Sequence, residues 1–241
     1  MKTFDKILNC LHSIIEKLFL ILIVLMICIS LYMYYDSKQI TTLSTLDKEI
    51  IEIKKDEKID SEKTEKINED IIGWISIDNT NINYPLLQSN DNEKYLNLNY
   101  NKDYSALGSI FLDYRSNSNM NDKYSIIYGH YTYSNLMFSD IHKYKDNNYF
   151  NNHKTGTLKT KEKTYHITVY AYAKIDVMKD DIYNIDLYKN NKEYIVNFFK
   201  DKATNINNVD IYEDENIVLL STCEEVNSSE RSVLLVKLTS K

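Results

Sequence analysis

An apolar run from Leu18 to Tyr35, free of charge, divides this 241-residue chain into unequal parts. At about 1.5 Å of rise per residue, its 18 residues approach the length a helix needs to cross a bilayer. Lys2, Lys6 and Lys17 precede the run and Asp36 follows it. The positive-inside rule then leaves the N-terminus in the cytoplasm and the remaining ~200 residues outside. A cleaved signal peptide begins in the same way. However, Tyr32, Met33, Tyr34 and Tyr35 are bulky and supply no small-x-small cleavage site, which favours an uncleaved anchor. The expected organisation is a cytoplasmic segment 1–17, a transmembrane anchor 18–35, a helical stalk 36–70 and a globular domain 71–241.

This topology isolates one cysteine. Cys10 and Cys28 lie before or inside the apolar run, so Cys223 is the sole exported thiol. No intrachain disulfide can form outside, and stability must come from an ordinary core. The net charge of −6 and the scarcity of arginine argue against a nucleic-acid partner. Lysine outnumbers arginine 27 to 2, as AT-rich codon usage would produce. An arginine that persists against this bias is a candidate for work that needs a planar, permanently charged fork of donors. The two are Arg115 and Arg231; a surface ion pair is the plain alternative for each.

Leu43, Leu46, Ile50 and Ile53 fall at helical spacing, and the charged segment Lys54–Lys66 extends a stalk that can pack on the domain. From Ile71 onward, short apolar and alternating runs read as strands: 71–77, 82–87, 109–112, 124–128, 155–161, 164–175, and two that flank Cys223. A short helix is expected at Phe138–Tyr144 and a longer one at Leu187–Lys202. With four glycines and one proline in the chain, turns depend on Asn and Asp. The pattern implies a mainly β fold, a closed or nearly closed eight-stranded barrel with N-terminal helices and one long helix between late strands.

Cys223 follows the apolar run Ile217–Thr222, and Arg231 opens the next run. An excursion of eight residues can return Arg231 beside the thiol, where a guanidinium can stabilise an oxyanion. A buried, inert cysteine is the competing reading. Among the exported histidines, His130 ends a strand and follows Gly129, a place where scaffolds display reactive groups. His166 lies inside a strand, His142 in a predicted helix and His153 in a polar loop. No paired ligand spacing suggests a metal and no glycine-rich loop suggests a phosphate cofactor, so no cofactor is expected.

Leu220-Ser221-Thr222-Cys223 followed by Arg231, together with Tyr128-Gly129-His130, resembles the signature of sortases, membrane-anchored cysteine transpeptidases of Gram-positive bacteria. The likeness extends through Gly73–Ile77, Tyr84-Pro85-Leu86, Gly108–Arg115 and Met137–Asp140 with Tyr144, spanning about residues 70–238. The helical stalk, the late helix and the Gly-Ser-Ile-Phe-Leu-Asp stretch are similar to class B members. Those are associated with anchoring haem-uptake and other surface proteins and, in some cases, pilins. The pilin-polymerising class often carries a C-terminal membrane segment, and no second hydrophobic span follows Leu238 here.

The resemblance implies that Cys223 attacks a sorting motif near the C-terminus of an exported protein and that a peptidoglycan precursor amine resolves the thioacyl enzyme. It assigns His130 as acid and base and Arg231 as backbone and oxyanion holder. Ser221, Thr222 and Glu225 are candidate substrate contacts. Glu224 or Glu225 could also stand where some class B members have an acidic group, although a solvated acidic loop explains them as well. Specificity is expected in the loops 88–105 and 176–190. The alternatives are a cysteine peptidase that releases its product by hydrolysis and a non-enzymatic anchored surface protein with Cys223 buried.

Overall fold

The computed structural model describes residues 2–44, 48–53, 58–132, 135–223 and 229–240; at residues 2–3, 5–10, 36–44, 48–49 and 223 it describes the backbone alone. The chain divides into two compact units, Met1–Thr45 and Leu46–Lys241.

The first unit is α1, Lys2–Ser44, a helix of 43 residues. Its segment Leu11–Tyr35 is long and apolar enough to cross a membrane. Those 25 residues measure about 37 Å at helical rise, against ~30 Å of hydrocarbon. The segment begins upstream of the uncharged run because Glu16 and Lys17 do not interrupt the helix. Glu16 lies one turn from His12, 3.4 Å away.

The second unit opens with α2, Lys48–Ile53, and α3, Ser61–Ile67. Asp60 caps α3 by accepting from the amides of Glu62 and Lys63. Ile50, Ile53 and Ile59 are buried against Ile71, Trp74, Leu87 and Phe111. This part of the expected stalk therefore contributes apolar side chains to the domain core. Leu46 and residues 54–57 lie outside the described residues.

Nine strands follow among the described residues. They are β1 Ile71–Ile77, β2 Asn83–Leu87, β3 Ile110–Leu112, β4 Tyr124–Tyr128, β5 Thr155–Thr160, β6 Thr164–Asp176, β7 Asn205–Ile206, β8 Asn216–Cys223 and β9 Glu230–Ser240. Eight of them, in the order β5-β1-β2-β3-β4-β8-β9-β6, close into a barrel because β5 also pairs with β6. The ninth, β7, lies beyond the closure. One edge of β6 serves both neighbours: Thr164–Thr168 pair with β5, and Ala171 and Tyr172 with β7. Between these halves, Tyr170 is bulged out of the ladder with β9. A bulge bends its strand, here where the edge changes partners.

The helix expected over Leu187–Lys202 is two helices, α5 Ile185–Tyr188 and α6 Glu193–Lys202, after α4 at Asn147–Asn152. Asn191 accounts for the break: its side-chain oxygen accepts from the Glu193 amide at 3.0 Å and starts α6 afresh. The helix expected over Phe138–Tyr144 is a 3-10 helix, Ser139–Lys145. Ile185, Ile195 and Phe199 cover the outer face of the sheet at Tyr124, Ile126, Ile217, Leu219, Val233 and Leu235. The alternate residues Ile127, Leu220, Leu234 and Val236 are buried as well. Burial of both faces explains why β8 and β9 read as unbroken apolar runs.

Candidate active site

Three neighbouring strand ends bring the candidate residues into line. β4 and β8 run parallel with Tyr128 level with Ser221, and the Gly129 amide extends the ladder by donating to the Ser221 carbonyl at 3.1 Å. His130 follows one step later, in step with Cys223. β8 and β9 run antiparallel, with Cys223 directly opposite Arg231. Across β4, β8 and β9 the order is histidine, cysteine, arginine.

A cavity of about 370 Å³ opens at this end. Tyr128, Gly129 and His130 border it from β4, Ser221 and Thr222 from β8, and Arg231 from β9. Asn92 and Leu96 enter from the β2–β3 connection, and Val177 and Tyr183 from the segment after β6. The Tyr183 hydroxyl and Ser221 Oγ are 2.7 Å apart.

His130 is half-buried, and its Nε2 lies 2.8 Å from the Leu96 carbonyl. A carbonyl only accepts, so Nε2 carries a hydrogen and Nδ1 is the nitrogen left to exchange a proton. Two glycines make this contact possible. Gly108, at φ 56°, approaches the Tyr95 and Leu96 carbonyls so closely that a Cβ would meet both at 2.5 Å. Gly129 is pressed against Ile110 and Phe138, where a Cβ would lie 2.4 Å from Ile110 Cδ1. Arg231 donates from Nη1 to the Glu230 carbonyl at 2.9 Å.

The other histidines take different places. His142 lies 3.1 Å from Ser232 Oγ, which is 3.1 Å from the Tyr172 hydroxyl. His153 stacks on Tyr149 and bonds its carbonyl, and His166 is exposed in β6. Glu224 and Glu225 lie outside the described residues. No group of three or more His, Cys, Asp or Glu side chains able to hold a metal occurs among the described residues.

Arg115 is no surface pair. It engages the fully buried Asp113 from Nε at 2.9 Å and Nη2 at 2.8 Å. Burial alone would raise the pKa of Asp113; donors from Arg115, Asn92 and Tyr128 outweigh it and hold the carboxyl below its usual range. Burial pushes the Tyr128 hydroxyl far above its ordinary value, and the Asp113 charge adds to this. Tyr128 is therefore a neutral donor, at 3.0 Å from Asp113 Oδ2. Sequence reading gave Asp113 no role of its own; Asn92 and Tyr183 fall in the loops 88–105 and 176–190 expected to carry specificity, and the rarity of arginine marked Arg115.

A barrel that ends a cysteine-bearing strand between a histidine and an arginine is the frame of a cysteine acyl transferase. The sequence model of the sortase domain matches residues 75–239. Sortase B of Staphylococcus aureus is 33% identical over 181 residues, 73% of each chain. The solved structure of a Staphylococcus aureus sortase B–substrate complex matches with a TM-score of 0.68 at 32% identity, covering 74% of this chain and 84% of that one. A Streptococcus pyogenes class B sortase described as involved in pilus biogenesis matches with a TM-score of 0.68 at 30% identity, covering 74% of this chain and 97% of that one. The chain belongs to the sortase family. Within it the similarity is to class B, and the enzyme is a cysteine transpeptidase.

Proposed function

We propose that this enzyme is held in the cell membrane by α1 with its catalytic domain outside, and that it joins exported proteins to the cell wall through a thioacyl intermediate on Cys223. The Cys223 thiolate attacks the carbonyl carbon of a scissile bond in a C-terminal sorting signal. The C–N bond breaks, and the leaving amine takes a proton from the His130 imidazolium. A peptidoglycan precursor amine then gives a proton to neutral His130 and attacks the thioester, which expels the Cys223 thiolate. Arg231 holds the substrate backbone and the developing oxyanion, and the positive charge beside the thiol favours its thiolate. Ser221 and Thr222 border the bound peptide.

The register of β4, β8 and β9 carries this reading: it aligns His130 with Cys223 and sets Cys223 opposite Arg231. The Leu96 carbonyl supports the role given to His130, because it occupies Nε2 and leaves Nδ1 for both proton transfers. Full-length enzyme in detergent, given a panel of sorting-motif peptides and an amine nucleophile, should yield a ligated product and a thioacyl adduct on Cys223 by mass spectrometry. Cys223→Ala should yield neither. Folded wild type that cleaves no motif would sink the proposal, and free acid as the sole product in the presence of amine would replace transfer by hydrolysis.

A further inference from the structure

The cavity wall is organised around an ion pair between the half-buried Arg115 and the fully buried Asp113. Asp113 Oδ1 accepts from the Arg115 amide at 3.0 Å and from Arg115 Nε at 2.9 Å. Its Oδ2 accepts from Arg115 Nη2 at 2.8 Å, Asn92 Nδ2 at 2.9 Å and the Tyr128 hydroxyl at 3.0 Å. Arg115 Nη2 also donates to the Tyr183 carbonyl at 3.2 Å. Asn92 is held at both ends of its amide, since its oxygen accepts from the Tyr114 amide at 3.0 Å. The Tyr128 and Tyr183 rings lie nearly parallel, 13° apart with centroids 6.4 Å apart. One side of the cavity thus comes from three separate segments whose only common partner among these bonds is Asp113–Arg115. A lysine cannot reproduce this, because it lacks the fork that engages a carboxylate and a carbonyl together.

We propose that Arg115 is a positioning residue for substrate binding: through the Asp113 carboxylate it fixes Asn92, Tyr128 and the Tyr183 main chain as the wall against which the sorting peptide lies. This rests on the reading of the cavity as the peptide site. The bonds of the pair go to residues of the wall, so the loss should fall on KM. For full-length Arg115→Lys in detergent, KM for a cleaved peptide should rise about tenfold with kcat and its pH profile changed less than about twofold. Hydrogen exchange of the Tyr114 amide, which reports the Asn92 clamp, should accelerate while amides of β8 and β9 stay protected. Tyr128→Phe should act in the same direction, and the double variant should raise KM no further than the larger single change, because both act through Asp113. Multiplying effects, a fall in kcat at unchanged KM, or an unchanged Tyr114 amide would overturn the proposal. If Arg115→Lys does not fold, Tyr128→Phe decides alone: it must raise KM and expose the Tyr114 amide. If wild type cleaves no peptide, the transpeptidation reading fails, and the exchange experiment still decides whether Arg115 positions the wall.

Discussion

Arg231 and Gly129 test the site one residue at a time. Arg231→Lys keeps the charge opposite Cys223 and removes the planar fork. If the guanidinium holds the oxyanion, kcat should fall about a hundredfold, the range seen when an oxyanion donor is removed. A kcat within a factor of two would reduce Arg231 to a structural strand residue. Gly129 is needed for space: a methyl there would meet Ile110 Cδ1 at 2.4 Å and Phe138 at 2.8 Å. Gly129→Ala should therefore destabilise the fold by about 1–3 kcal/mol in urea titrations and displace His130 from Leu96, lowering kcat more than stability alone predicts.

At the scale of elements, α2 and the segment before α3 act as part of the barrel domain. Ile53 is fully buried in the cluster that contains Trp74 and Phe111, so Ile53→Ala should cost about 2–5 kcal/mol by chemical denaturation. A free stalk would show no change. The β3–β4 region stores a pH-dependent contribution at Asp113. Its folded pKa is depressed, so the folded state binds fewer protons than the unfolded chain. The stabilisation is present above the unfolded value, near 4, and is lost as pH falls through the folded one. Asp113→Asn should be less stable than wild type at pH 7, and the gap between their urea midpoints should narrow towards pH 3. A gap that stays constant over that range would place the dependence on other carboxylates.

At the scale of the whole molecule, two compact units make a separable prediction. Removing residues 1–45 takes away α1 and leaves the unit that begins at Leu46. The shortened protein should cleave free peptide with kcat/KM within about threefold of the full chain, as expected of a domain with its own core. It should also leave the membrane fraction on sedimentation, whereas the full chain should stay there. Retention of the shortened protein would transfer anchoring to the barrel domain.

Much of this was written along the chain. Local patterns mark the apolar helix, the β-rich composition and most strands, because alternation and turn residues act over a few positions. Tyr128-Gly129-His130 and Leu220-Ser221-Thr222-Cys223 with Arg231 name the candidate chemistry because short motifs survive intact in sequence. The Asn191 turn that splits α5 from α6 was hidden, since Asn also occurs inside helices and its side-chain bond is visible in the fold alone. The clamp at Asp113 was hidden for a deeper reason. Its donors come from Asn92, Arg115, Tyr128 and, beyond them, the Tyr183 carbonyl, positions up to 91 residues apart that no periodicity connects. By itself the sequence determined which groups could react and that they would sit on a β domain preceded by a long apolar helix. Tertiary structure alone decided that a parallel pairing of β4 with β8 brings histidine level with cysteine, and that a buried carboxylate gathers the wall beside them. Both depend on long-range strand register and on the cost of burying a charge, which only the folded chain sets.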